Sequence, residues 1–138
     1  YFFMEHIQGT DKKNIVLVGV GNLGSALLNY KFNNLSDKMN VVAGLDNNEE
    51  LIGTKINDVI VHHTDELESI IKKGNVEVAI LTLPVSVSQE MAERLVKAGI
   101  KGILNFTPTR LDLDKKIYVH NIDLGVELQA LFFYMKNL

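Results

Sequence analysis

The residues best suited to chemistry in this chain form one run, Gly19-Val20-Gly21-Asn22-Leu23-Gly24. Glycines at this G-x-G-x-x-G spacing have separate tasks where a strand passes into a helix. Gly19 permits the tight turn, Gly21 lets the backbone approach a pyrophosphate, and Gly24 allows the helix to pack close on the strand. The helix N-terminus then offers free N–H groups and the positive end of its dipole to phosphate oxygens. Asp46 stands about 20 residues further on, the interval at which a carboxylate accepts hydrogen bonds from an adenosine ribose. Such a carboxylate repels a 2′-phosphate, and the following Asn47-Asn48-Glu49-Glu50 offers no arginine or lysine to receive one. NAD(H) is therefore favoured over NADP(H). The plainer readings are a glycine-rich turn without a ligand and an aspartate that only starts a turn.

Thr82-Leu83-Pro84 and Asn105-Phe106-Thr107-Pro108 each close a predicted strand, where the pyrophosphate and nicotinamide of such a ligand would lie. Their polar side chains and exposed backbone groups suit a carboxamide better than a proton transfer. Turn chemistry alone explains either segment equally well. The candidate cofactor contacts are thus Gly19, Val20, Gly21, Asn22, Leu23, Gly24, Asp46, Thr82, Pro84, Asn105 and Phe106.

No catalytic residue and no metal-ligand set is expected. The chain has no cysteine, which removes thiolate nucleophiles, disulfides and Cys-based zinc sites. His62 and His63 are adjacent on a predicted strand, so they face opposite sides and cannot share one metal. Either could border an adenine. No histidine–acid arrangement supplies a base at the nicotinamide end. A net charge of −3, with the lysines dispersed, lacks the basic footprint of a nucleic-acid binder. No apolar run approaches the roughly 18 residues of a membrane span and no signal peptide is visible, so the expected location is the cytoplasm.

Alternating strands and helices must position these residues. Residues 14–18 are a continuous apolar run ended by Gly19, the pattern of a strand buried on both faces. Residues 22–34 follow at helical spacing, with Leu23, Ala26, Leu27 and Tyr30 apolar. Residues 41–45 are a second buried strand closed by Asp46, and residues 47–57 read as short helix or loop. A third strand spans 59–62, and Thr64 and Asp65 can cap a helix that ends at Gly74. A fourth strand over 76–83 stops at Pro84, and Ser86-x-x-Gln89 reads as a capping box for a helix running to Gly99. Strands over 102–106 and 117–119 follow, and Asp123 can cap a final helix. With 46% hydrophobic residues in 138, the chain suffices for one core and leaves no room for a second substrate-binding domain. The expected fold is α/β, a Rossmann-type doubly wound, mostly parallel sheet. Its loops after the first, second, fourth and fifth strands surround one crevice.

The two ends of the chain are unusual. From Leu124 to Met135 only Gly125, Glu127 and Gln129 interrupt the apolar residues, so the final helix is apolar around most of its girth. Such a helix needs cover on more than one side, and the expected source is a second subunit with exchange of the helix between protomers. The alternative is a helix sunk in its own domain. Residues 1–13 read as the remnant of a preceding domain or linker helix, and 14–138 as the nucleotide-binding domain with its dimerisation helix. The bland alternative for the opening apolar stretch is a helix folded back on this domain.

From about Asn14 to Leu138 the chain resembles the Rex family of redox-sensing transcriptional repressors. The resemblance rests on Val18 through Gly24, Ala26-Leu27-Leu28-Asn29-Tyr30, Ala79-Ile80-Leu81-Thr82, Lys101 through Phe106, Asn121-Ile122-Asp123-Leu124 and Glu127-Leu128-Gln129. It implies a homodimer with the C-terminal helix exchanged between subunits, and a Rossmann domain that binds NADH or NAD⁺. It further implies a winged-helix DNA-binding domain ahead of the Rossmann domain, through which alone operator DNA would be held and from which NADH would release it. Tyr30 and Asp123 match the tyrosine and aspartate whose pairing changes between the DNA-bound and NADH-bound states, which makes them the implied allosteric switch. The winged-helix domain is missing from this sequence. Two rival readings remain: the nucleotide-binding half of a small NAD-dependent dehydrogenase, and a CoA-binding domain of an acyl-CoA ligase.

Overall fold

The computed structural model describes residues 13–30 and 38–137. In chain order these form β1 (Lys13–Val18), α1 (Asn22–Leu28), β2 (Met39–Asp46), β3 (Lys55–Ile56), β4 (Val59–His63), α2 (Leu67–Lys73), β5 (Val78–Leu81), α3 (Val85–Ala98), β6 (Gly102–Asn105), β7 (Tyr118–Asn121) and α4 (Leu124–Lys136). The strands make one seven-stranded sheet in the order β3-β4-β2-β1-β5-β6-β7. Every pairing is parallel except the short β3–β4 ladder at one edge. The chain order reverses direction at β1, so the crevice beyond the carboxyl ends of β1, β2 and β5 is a topological switch point.

Alternation along β1 divides the core. Val16 and Val18 point to one face of the sheet, where Leu67 and Ile71 of α2 and Ala92 and Leu95 of α3 meet them, all buried. Ile15 and Leu17 point to the other face, against Val20, Leu28 of α1, and Val59 and Val61 of β4. Helices thus cover both faces, which is why β1 is apolar at every position from 15 to 18. Cover is uneven on the second face. Leu104 and Phe106, at and just past the end of β6, are only partly buried.

The boundaries differ from the sequence reading where a local polar contact competes with periodicity. The first helix ends at Leu28, where the Asn29 amide turns back to donate to the Ser25 carbonyl at 3.1 Å. Of the expected continuation, residues 31–34 lie outside the described residues, as do residues 1–12 of the opening segment, while Lys13 already belongs to β1. Residues 47–57 carry β3, and Asn57 and Asp58 both take positive φ, 50° and 65°. Two such residues make the turn that a right-twisted hairpin prefers. The stretch before α2 is capped by the His63 imidazole, whose Nδ1 accepts from the Asp65 N–H at 2.9 Å, not by Thr64 or Asp65. The Ser86–Gln89 capping box does not form. Helix α3 starts at Val85 behind Pro84 with no side-chain cap, and Gln89 instead exchanges two hydrogen bonds with the backbone of Asp112, at 2.7 and 2.8 Å. Gly99, at φ 119°, stops α3 as expected.

Helix α4 forms where expected, with Asp123 Oδ1 accepting from the N–H groups of Gly125 and Val126 at 2.9 and 3.2 Å. None of its residues is buried, and Leu124, Val126, Leu128, Leu131, Phe132, Phe133, Tyr134 and Met135 are all more than half exposed. The helix is therefore not sunk in its own domain. That outcome removes the alternative weighed from sequence.

Candidate functional site

The turn between β1 and α1 is built around Gly19. Its φ is 99°, and a Cβ there would lie 2.6 Å from the Thr82 carbonyl oxygen, so both conformation and space require glycine. A Cβ on Gly24 would collide with the Gly19 carbonyl, which is how α1 comes to sit hard against the strand end. Gly21 differs: nothing lies within 4 Å of where its Cβ would be. The open space is on the cleft side, where a bulky anionic group can approach the backbone. Gly21 also caps α1 without a side-chain hydrogen bond, so the first-turn N–H groups have no intrahelical acceptor.

Two side chains lock this turn. Asp46 Oδ2 accepts from the Val20 N–H at 2.7 Å, and its Oδ1 accepts from the Asn48 N–H at 2.9 Å. A carboxylate has about four lone-pair sites. Asp46 can therefore hold the glycine turn and still accept from diol hydroxyls. Thr82 donates its hydroxyl to the Gly19 carbonyl at 2.5 Å, and its N–H bonds the Val18 carbonyl at 2.9 Å.

Gly19, Gly21, Asp46, Thr82 and Pro84 line one cleft of about 650 Å³. Asn47, Thr64, Leu83, Val87, Glu90, Met91 and Arg94 complete it. The other expected contacts have different places. Val20 is a core side chain that presents only its backbone to Asp46. Asn22 and Leu23 are exposed on the first turn of α1, Gly24 is buried beneath it, and neither His62 nor His63 is among the lining residues. Their imidazoles face Glu66 and Asp65 at 3.5 and 3.4 Å. Phe106 packs against the second core cluster.

Asn105 is wholly buried, and its amide is fully engaged within the protein. Nδ2 donates to the Thr109 carbonyl at 3.1 Å and to Asn121 Oδ1 at 3.0 Å, while Oδ1 accepts from the Thr107 N–H at 3.0 Å. Asn105 thus reaches the site through the loop it holds, not through a carboxamide contact of its own. The Thr107 hydroxyl carries the link onward to the Leu83 carbonyl at 3.0 Å, in the cleft wall. On the other side, the Ile122 N–H bonds the Asn105 carbonyl at 2.9 Å, directly before the Asp123 cap of α4. Tyr30 is exposed just beyond α1, and Asp123 lies in a separate hollow with Thr107, Thr109, Arg110 and Asn121.

Arg94 is the site residue that reading along the chain misses. It comes from α3, far from Asp46 in sequence, and its guanidinium reaches the loop that follows β4. Nη2 donates to the Thr64 carbonyl at 3.0 Å and to Glu68 Oε1 at 2.9 Å, and Nε donates to Glu68 Oε2 at 3.1 Å. This two-pronged contact holds the Glu68 carboxyl below its usual range and the arginine above its own. Among the described residues no cluster of His, Asp or Glu could hold a metal ion. No helix among them is long and apolar enough to cross a membrane.

A glycine turn, an acid at the end of the neighbouring strand and a cleft across the switch point define a Rossmann-type nucleotide-binding domain. The chain belongs to the family described as CoA binding domain, which matches residues 10–109. Over 136 residues, 99% of its length, it is 49% identical to the redox-sensing transcriptional repressor Rex of Staphylococcus aureus strain JH9. It is 47% identical, again over 136 residues, to that of Staphylococcus haemolyticus. The chain spans 64% of the length of each of these relatives. Among solved structures it resembles the Rex-family repressor RSP in complex with NAD⁺ and operator DNA, with a TM-score of 0.86 at 29% identity. That match covers 99% of this chain and 62% of the other. RSP in complex with NADH matches with a TM-score of 0.83 at 30% identity, over 92% and 61% of the two chains. The resemblance read from sequence is thereby borne out. UDP-D-quinovosamine 4-dehydrogenase of Vibrio fischeri, with a TM-score of 0.61 at 19% identity over 87% of this chain and 86% of that one, shares the fold alone.

Proposed function

We propose that this chain is the NADH- and NAD⁺-sensing, dimer-forming part of a redox-responsive transcriptional repressor of the Rex type. The observation that carries the reading is the cleft, where Gly21 leaves room for a pyrophosphate and Asp46 faces it from the next strand. The repressor relatives match this region over nearly the whole chain. Gly19, Gly21 and the first turn of α1, with Asn22, Leu23 and Gly24, hold the pyrophosphate. Asp46 holds the adenosine ribose, and Thr82 and Pro84 border the middle of the ligand. The nicotinamide lies toward Phe106 and the root of α4, held by the loop that Asn105 organises.

The domain works as a sensor, without catalysis. NADH and NAD⁺ differ by a hydride and a ring charge, so the adenosine end binds both alike and discrimination falls to the nicotinamide end. A neutral reduced ring suits an apolar surround, whereas a cationic ring loses hydration there. The exposed apolar girth of α4 is the dimer element, exchanged onto the partly covered sheet face near Leu104 and Phe106. Tyr30 and Asp123 form the switch between the two dimer states. Operator DNA is held by a winged-helix domain that would precede this chain, in the cytoplasm, and NADH releases it. A ligand shifts such an equilibrium only by its differential affinity for the two states.

The family description favours one second reading, a CoA-binding domain. Calorimetric titration with NADH, NAD⁺ and CoA separates the two. Saturable NADH binding, tighter than NAD⁺ and with no CoA response, supports the sensor. CoA binding with no NADH response supports the second reading and removes the first.

A further inference from the structure

The cleft carries a feature that bears on which dinucleotide it refuses. Among the described residues that line it, Arg94 is the sole lysine or arginine. Arg94 bonds the Thr64 carbonyl. Thr64 directly follows His63, which sits opposite Asp46 in the parallel β2–β4 ladder. Neighbouring strands run about 4.8 Å apart. The guanidinium is thus held at the end of the strand next to the one that ends in Asp46, and both residues line the same cleft. An arginine at that end is the group that ordinarily accepts a 2′-phosphate.

Here its Nε–Nη2 fork is already committed within the protein. Glu68 of α2 grips Nε and Nη2 together, and Thr64 takes a further bond from Nη2. Nη1 meets only the Met91 sulfur, at 3.9 Å, a weak acceptor. A bidentate carboxylate neutralises the charge and occupies the fork that a phosphate would use. Resting on the NAD(H) reading above, we propose that Glu68 acts as a latch on Arg94 that excludes NADP(H). Asp46 repels the 2′-phosphate, and Glu68 withholds the cation that could compensate for it. Glu68 is in this sense a specificity-determining positioning residue, remote in sequence from the ribose-binding acid.

The test is calorimetric titration of NADH and NADPH into the chain and its variants. Glu68→Gln keeps the shape of the side chain and removes the charge. It should narrow the NADPH-to-NADH ratio of Kd values about tenfold, the factor that one charge-assisted hydrogen bond contributes. Adding Asp46→Ser should narrow it further, and adding Arg94→Gln to Glu68→Gln should restore the original ratio. An unchanged ratio in folded Glu68→Gln would overturn the proposal and leave the pair as a tie between α2 and α3. Should Glu68→Gln not fold, Glu68→Ala answers instead: a ratio narrowed about tenfold supports the latch, and an unchanged ratio overturns it. Absence of NADH binding by the unmodified chain would instead remove the sensor reading itself.

Discussion

Asp46 and Asn105 show how single residues can build a site by gripping backbone. Each Asp46 oxygen takes one N–H, and the Val20 bond reaches across to the neighbouring strand's glycine turn. Asp46→Ala should therefore weaken NADH and NAD⁺ by similar factors of at least tenfold, the scale of a lost charge-assisted bond. Calorimetry showing a loss for one redox form only would contradict the ribose role. Asn105→Ala removes the partner of Thr107 N–H, Thr109 carbonyl and Asn121 Oδ1 together. Leaving buried groups unsatisfied costs about 1–3 kcal/mol. Urea unfolding should show a loss of that size, and a change under about 0.5 kcal/mol, the range of ordinary surface substitutions, would mean that water replaces the amide. The glycine turn and Asp46 were legible in the sequence because their roles depend on residue type and spacing along one βαβ unit. Arg94 was not, because it joins Asp46 in the wall of one cleft only after α3 has packed beside α2. The burial of Asn105 was hidden for the same reason: its partner Asn121 reaches it only once β7 has paired with β6.

Elements were legible where a run of apolar residues leaves one period, as in β1, β2 and α3. Their ends were not, because short polar side chains compete with the backbone ladder. Asn29 turned back on α1, His63 took the cap expected of Thr64 and Asp65, and Gln89 bonded the Asp112 backbone. The β3–β4 hairpin was missed because its strand is two residues long, although Asn57-Asp58 is a turn pair. Gly99 offers a direct check on element ends. At φ 119°, Gly99→Ala should cost about 1 kcal/mol or more, measured by thermal or urea unfolding. No loss would place the α3 terminus in another conformation. The Arg94–Glu68 tie between α2 and α3 gives a pH dependence with a definite sign. Its hydrogen bond to Arg94 holds the Glu68 carboxyl below the usual range. A group depressed in this way contributes stability above its unfolded pKa, about 4.3 for glutamate. The contribution is lost as pH falls through the folded value. The difference in Tm between the unmodified chain and Arg94→Gln should be constant above that range and shrink below it. A difference that persists at the lowest pH would assign the tie to packing of the arginine stem. Both side chains are partly exposed, so added salt should reduce the difference as well.

Assembly turns on α4. The sequence indicated a helix apolar around most of its girth, and its residues find no cover on the described chain. Periodicity could not say what covers it, since that depends on a surface outside the helix. Exposed apolar patches of this extent mark interaction sites. Under the sensor reading the chain is a homodimer, and Phe132→Ser with Phe133→Ser should shift it toward monomer in sedimentation. A pair of variants that remains fully dimeric would place the interface elsewhere. In full-length protein, Tyr30→Phe should alter how NADH drives release from DNA, and release identical to that of the unmodified protein would remove Tyr30 from the switch.

On the reading proposed, the β1–α1 turn and the acid at the end of β2 hold the two ends of an adenosine diphosphate. A crystal structure determined with saturating NADH decides the matter. The predicted result places the pyrophosphate over Gly21 and both ribose hydroxyls within hydrogen-bonding distance of Asp46. A cleft found empty or filled by side chains, or NADH bound away from Gly21 and Asp46, contradicts it.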